Sequence, residues 1–171
     1  VTGFLIKHPK LRAGYISLSA SRFISTEDMK QTLTLISTSN IFSHLGGFAP
    51  NTFSRITKYD LDGWFGVAGG PLEYIENSIK SIKGQASRVN KNPNNFQIII
   101  LAYPNVIEGK SSKNDENRFP FSGSINEIGS EIQRVNDMGV DHIVFGYNFL
   151  PIGRDVDKMI NLSKELSKFA R

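Results

Sequence analysis

An α/β fold with parallel strands is what this sequence predicts, on two observations. From residue 41 onward, short apolar runs alternate with stretches whose apolar residues recur every three or four positions, the pattern of strands connected by amphipathic crossover helices. The run at Phe96–Ala102 (FQIIILA) is nearly continuously apolar, as expected of a parallel strand covered on both faces.

Ile41–Leu45 opens the alternation as a short strand and passes into Gly46-Gly47. Asn51–Tyr59 reads as a short helix with Phe53 and Ile56 inward. Gly63–Val67 is the next strand, ended by Gly69-Gly70. Pro71 suits the first position of a helix, where its missing N–H costs nothing. Leu72, Ile75, Ile79, Ile82, Ala86 and Val89 then line one face of about five helical turns. Asn90–Asn95 is a loop leading into the Phe96–Ala102 strand.

Asn105–Phe121 is polar, charged and punctuated by proline. It reads as a long exposed loop whose length suggests a lid or binding loop. Ser124-Ile125-Asn126-Glu127 forms a capping box, and Ile125, Ile128, Ile132 and Val135 line the helix that follows, which Gly139 ends. Val140–Tyr147 (VDHIVFGY) reads as another buried strand. Asp155–Phe169 is a closing helix with Met159, Leu162, Leu166 and Phe169 inward. The first forty residues have poorer pattern, with a strand candidate at Gly14–Ser21 and a short helix candidate at Thr26–Ile36.

Two layouts fit: an open doubly wound sheet, or the C-terminal half of a (β/α)8 TIM barrel. A complete barrel takes about 250 residues, roughly 30 per βα unit. The 171 residues read as one domain with a lead-in over 1–40, and the βα units over 41–171 number about four, half of a complete barrel. Val1 in place of methionine adds to the expectation of more βα pattern upstream.

Composition narrows the function classes. The chain has no cysteine, which excludes a disulfide framework, a thiol nucleophile and a zinc–thiolate site, and fits a cytoplasmic protein. His8, His44 and His142 lie far apart without patterned acids, so no metal site is expected. No apolar run reaches the roughly 18–20 residues of a membrane span, and no signal peptide is expected at the N-terminus. The net charge of +4 is spread along the chain and interleaved with acids. That favours solvated helix faces and an anionic small molecule over a nucleic-acid partner. Open sheet edges favour a homo-oligomer. No G-x-S-x-G elbow, Walker A sequence or G-x-G-x-x-G fingerprint occurs.

The segment LGGFAPNTFSRITKYDLDGWFG combines a strand end, paired glycines, a helix and a second strand. Glycines let backbone approach an anion, and a helix start presents N–H groups and a positive dipole end. A tight βα turn without a ligand has the same appearance. The segment resembles the "GG…ADGW" portion of the luciferase-like monooxygenase superfamily, bacterial-luciferase-type (β/α)8 oxidoreductases that use FMN or the deazaflavin F420. LEYIENSIKSIKGQASRVNKNPNNFQIII and GSINEIGSEIQRVNDMGVDHIVFGY resemble the family's succeeding helix–turn–strand segments, in the same order. The resemblance covers residues 41–171. Asp60-Leu61-Asp62-Gly63 and Lys91-Asn92-Pro93 depart from the family pattern, and the N-terminal barrel half that carries the family's catalytic positions has no counterpart.

The resemblance implies a flavin-dependent oxidoreductase acting on a small-molecule substrate, with FMN as cofactor or F420 as the alternative. It implies a cofactor-phosphate contact at Gly46, Gly47 and Phe48. His44, just before them, either faces the cofactor or packs as a hydrogen-bonded structural histidine. Trp64 either walls the pocket or fills the barrel core. Arg55 lies one turn into the helix, close enough to assist a phosphate, with surface exposure the simpler role. His142 reads as structural, and no catalytic residue is assigned. The rivals are a non-catalytic half-barrel that binds flavin or pairs with another chain, and another phosphate-binding α/β enzyme such as a sugar-phosphate isomerase.

Overall fold

The computed structural model describes residues 44–107 and 118–170. The strand candidate at 14–21, the helix candidate at 26–36, the start of the 41–45 strand and His8 lie outside the described residues. The described residues group into two compact units, one of residues 44–66 and 78–98, the other of residues 67–77, 99–107 and 118–170.

In the first unit, strand β1 (His44–Gly46) leads through Gly47 to helix α1 (Pro50–Lys58). Strand β2 (Gly63–Val67) follows and pairs in parallel with β1, Leu45 opposite Trp64. Most of helix α2 (Leu72–Arg88) belongs here, with the start of strand β3 (Gln97–Ala102). β3 begins beside β2, because the Gln97 N–H donates to the Asp62 carbonyl at 2.8 Å. Leu45, Phe53, Ile56, Leu61, Trp64, Ile79, Ile82, Ala86 and Ile98 are buried and form this unit's core.

α2 begins at Leu72, one residue later than Pro71 suggested, and the Pro71 carbonyl accepts from the Tyr74 N–H. It also ends earlier than the periodicity suggested. Asn90 adopts a left-handed φ of 57°, and the Lys91 N–H returns to the Ala86 carbonyl. This is the closure that asparagine permits after a helix, and it leaves Val89 exposed rather than inward.

In the second unit the remainder of β3 pairs in parallel with strand β6 (His142–Phe145), Ile99 opposite His142 and Ala102 opposite Phe145. Between them, strands β4 (Asn105–Val106) and β5 (Ser122–Gly123) form a short parallel pair. Helix α3 (Ile125–Asp137) begins at the full Ser124/Glu127 capping box, and helix α4 (Val156–Leu166) is capped by Asp155, whose carboxylate accepts from the Lys158 N–H. Ile99, Ile100, Phe121, Ile128, Ile132, Val135 and Leu166 are the centre of this core. Gly129 has a steric reason to be glycine: a side chain there would lie 2.5 Å from the Phe169 ring.

Two expectations are corrected in this unit. The 105–121 segment is not simply an exposed loop, since it starts as β4, which pairs with β5 directly after it, and Phe121 is fully buried. Glu131 of α3 holds this return, accepting from the Phe121 N–H at 2.5 Å and pairing with Arg118, which also donates to the Ser122 carbonyl. The last strand is shorter than Val140–Tyr147 and is not buried throughout. His142 and Val144 are exposed, while Ile143 and Phe145 are half-buried. Met159 and Phe169 are likewise only half-buried, with Leu162 and Leu166 carrying the inward face of α4.

Candidate functional site

The first unit gathers the glycine pair, α1 and Trp64 around one turn. Gly47 has φ of +114°, a conformation that L side chains rarely adopt, and a Cβ there would lie 3.2 Å from Thr52 Oγ1. The turn is therefore open because its residue is glycine. α1 starts with Ala49 at its N-cap and Pro50 in its first turn, with no side-chain cap and no acidic residue in that turn. The Thr52 N–H folds back on the Ala49 carbonyl at 2.8 Å. A helix start with neither a carboxylate nor a hydroxyl over it suits an external anion. Arg55, one turn further, is half-buried rather than fully exposed.

Trp64 ties this turn down. Its side chain is fully buried on β2, and its indole N–H donates to the Gly47 carbonyl at 2.8 Å. Phe48 meets the indole edge-on at 5.5 Å and 81°, and Phe53 of α1 at 6.2 Å and 67°. Such edge-to-face pairs contribute about 0.5–1.5 kcal/mol beyond the area they bury. Phe48 remains 44% exposed.

The D-G-W-F-G segment builds this arrangement. A Cβ at Gly63 would stand 1.9 Å from the Gln97 carbonyl oxygen, so glycine is required by the approach of β3. A Cβ at Gly66, on the same face of the strand as Trp64, would lie 2.3 Å from the indole ring. Gly66 thus leaves the space that Trp64 fills. Trp64 and Gly47 each stand out in the sequence, but their mutual hydrogen bond, 17 residues apart, leaves no sign in the spacing. The signal available was the second glycine two residues after the tryptophan.

The structure places His44 buried at 4% exposure on β1, two residues before the turn. His142 lies exposed on β6 rather than packed inside a buried strand. Asp60 takes a left-handed φ of 55° and pairs with Lys91 at 2.5 Å. Lys91 also donates to the Thr57 carbonyl at 2.8 Å, neutralising the C-terminal end of α1. The two segments that depart from the family pattern therefore bind each other.

The shifted carboxyls lie in the second unit and outside this turn. Burial pushes Glu131 above the usual carboxylate range, against the pull of the Phe121 N–H and Arg118. The Arg134 guanidinium holds the exposed Glu73 below it. Among the described residues no group of three or more His, Asp or Glu side chains could hold a metal ion, and no helix is long and apolar enough to cross a membrane.

An alternating βα chain with parallel strands and a glycine turn at a strand's C-terminal end defines a class, the parallel α/β proteins. Known structures share this fold. The chain is similar to an F420-dependent secondary alcohol dehydrogenase in complex with an F420-acetone adduct, at 17% identity and a TM-score of 0.58 over 78% of this chain and 50% of that one. It is similar to the coenzyme F420-dependent tetrahydromethanopterin reductase of Methanopyrus kandleri, at 15% identity and 0.56 over 80% and 53%. A long-chain alkane monooxygenase matches at 16% identity and 0.51 over 75% and 41%. The chain thus spans about half the length, or less, of these structures. No protein-family model and no curated protein matches the sequence. The parallel α/β fold implied by the resemblance to the luciferase-like superfamily is the fold observed, and a partial (β/α)8 barrel is consistent with it.

Proposed function

We propose that this chain is the C-terminal part of a luciferase-type oxidoreductase and that it grips the phosphate of a flavin-type cofactor. The observation that carries the reading is the Gly47 turn, held open by its positive φ and anchored to the buried Trp64 at the uncapped start of α1. The residues that would hold the phosphate are Gly46, Gly47 and Phe48, through backbone, with the first turn of α1 behind them. His44 and Trp64 support the turn from β1 and β2. Two of the three structural neighbours are named for F420. This supports F420 ahead of FMN, the reverse of the order expected from sequence.

When bound, FMN would supply the redox chemistry by activating oxygen and F420 by carrying a hydride. The work of this chain is to bind and orient the cofactor. A small-molecule substrate, a cytoplasmic setting and a homo-oligomeric assembly belong to the same proposal. The span of about half of each neighbour favours a second reading, in which this chain binds the cofactor or pairs with another chain without turnover. Turnover separates the two: oxygen uptake after reduction of FMN by NAD(P)H, or reoxidation of reduced F420 by a carbonyl acceptor.

Binding comes first. The purified chain is expected to quench the fluorescence of F420 or FMN, with inorganic phosphate competing. Gly47→Val, which fills the turn, is expected to weaken binding by about tenfold or more, on the order of 1.4 kcal/mol. Failure of both cofactors to bind, or unchanged binding by Gly47→Val, contradicts the phosphate grip.

A further inference from the structure

At the C-terminal ends of β3 and β6, the second unit displays an aromatic pair that the phosphate turn does not involve. Tyr103, directly after β3, and Phe149, four residues after β6, have ring centroids 5.8 Å apart at 55°. Phe149 is 77% exposed, the largest exposure among the large apolar residues described. Exposed phenylalanines are common on mobile loops, but this one stands on a built turn. The Leu150 N–H returns to the Tyr147 carbonyl at 3.0 Å and the Gly153 N–H to the Leu150 carbonyl at 2.9 Å. Gly153 approaches Tyr147 so closely that a Cβ would lie 2.2 Å from its carbonyl oxygen.

The base of the turn is also fixed. The Ser163 hydroxyl donates to the Met159 carbonyl at 2.8 Å, so the Tyr147 phenol, 2.7 Å away, donates to Ser163 and ties the turn to α4. Gly146 lets Tyr103 lie against bare backbone, since a Cβ there would stand 2.8 Å from the Tyr103 ring. The Gly146 N–H in turn donates to the Ala102 carbonyl at 2.8 Å. Two strands, one helix and two glycines thus hold an apolar ring out in water. The ends of parallel strands that carry it are where ligands of α/β proteins bind.

We infer that Tyr103 and Phe149 form a stacking platform for a flat conjugated ring. The exposed Phe149 ring offers a π face to such a ring at little ordering cost, having only two rotatable bonds, and the half-buried Tyr103, tilted 55° against it, braces it. The ring belongs either to a flavin-type cofactor or to an aromatic substrate, and the chemistry of recognition is common to both. The platform does not depend on the phosphate grip, because its probe carries no phosphate.

The test titrates the full chain with riboflavin and, separately, with 2-naphthol, following ligand fluorescence. Phe149→Ala is expected to weaken binding roughly three- to tenfold, Phe149→Leu to weaken it similarly, and Phe149→Trp to restore it. The exposed position should leave the melting temperature near that of the unchanged chain. Loss confined to riboflavin assigns the platform to a cofactor ring, and loss confined to 2-naphthol assigns it to a substrate ring. Either supports the platform. Three results overturn it: neither ring binds the unchanged chain; Phe149→Ala binds both rings unchanged; or Phe149→Ala alters only the oligomeric state seen by light scattering. Phosphate competition against FMN reads the grip separately, so the two proposals fail independently.

Discussion

Replacing Gly63 with alanine is expected to destabilise the fold more than the same change at any other described glycine of the first unit. The added Cβ would stand 1.9 Å from the Gln97 carbonyl oxygen, 2.7 Å from its carbon and 2.9 Å from its nitrogen. All three are backbone atoms, so no side-chain rotation relieves the contact. β2 and β3 must separate, and the hydrogen bond from the Gln97 N–H to Asp62 breaks with them. Overpacking of this kind costs about 3 kcal/mol, and more where backbone must move. Gly84→Ala is the control, because a Cβ at that helical position of α2 meets nothing within 4 Å. It is expected to stabilise by about 0.5–1 kcal/mol. Urea midpoints shifted in opposite directions by the two variants check the claim.

Trp64 offers the second large effect and separates fold from site. Its side chain is fully buried between Phe48 and Phe53, so Trp64→Ala is expected to cost about 3–5 kcal/mol through the cavity it leaves. Trp64→Phe keeps an aromatic ring in the core but removes the donor to the Gly47 carbonyl. Its stability cost should be nearer 1–2 kcal/mol, within what a folded chain tolerates. Its cofactor affinity should fall about tenfold, on the order of 1.4 kcal/mol, because the Gly47 turn loses its anchor. Thermal melts and fluorescence titrations on the same preparations distinguish the two losses. Equal loss of affinity in Trp64→Phe and in a distant variant of matched stability would assign Trp64 to the core alone.

The sequence revealed most where one physical rule governs a segment. Gly63–Val67 matches its expected bounds, and Ile75, Ile79 and Ile82 of α2 and Ile98–Ile100 of β3 are buried as their patterns require. Expectation and structure part where the deciding contact is distant in sequence. VDHIVFGY looks the same whether one face is covered or two, and the exposure of His142 and Val144 is set by neighbours rather than by the strand. Phe121 is buried and held by Glu131, ten residues downstream, in a segment whose composition reads as solvent-facing loop.

The candidate site was legible to the same degree. The glycine pair marked the turn, since a residue at φ of +114° next to Thr52 is required to be glycine. Its anchoring by the Trp64 indole was not legible, nor was the pairing of Asp60 with Lys91. Tyr103 and Phe149 went unnoticed for a related reason. Each is an ordinary aromatic in its own segment, and only the hydrogen bonds at the ends of β3 and β6 bring the two rings to 5.8 Å.

The central claim is that a cofactor phosphate sits against the Gly47 turn. Two-dimensional 15N–1H NMR of the labelled chain, titrated with F420 and with FMN, tests it most directly. The largest shifts are expected at the amides of Gly46, Gly47, Phe48 and Asn51 and at the Trp64 indole N–H, reversed by excess inorganic phosphate. Shifts absent with both cofactors, or present while those five N–H groups stay unmoved, would contradict it.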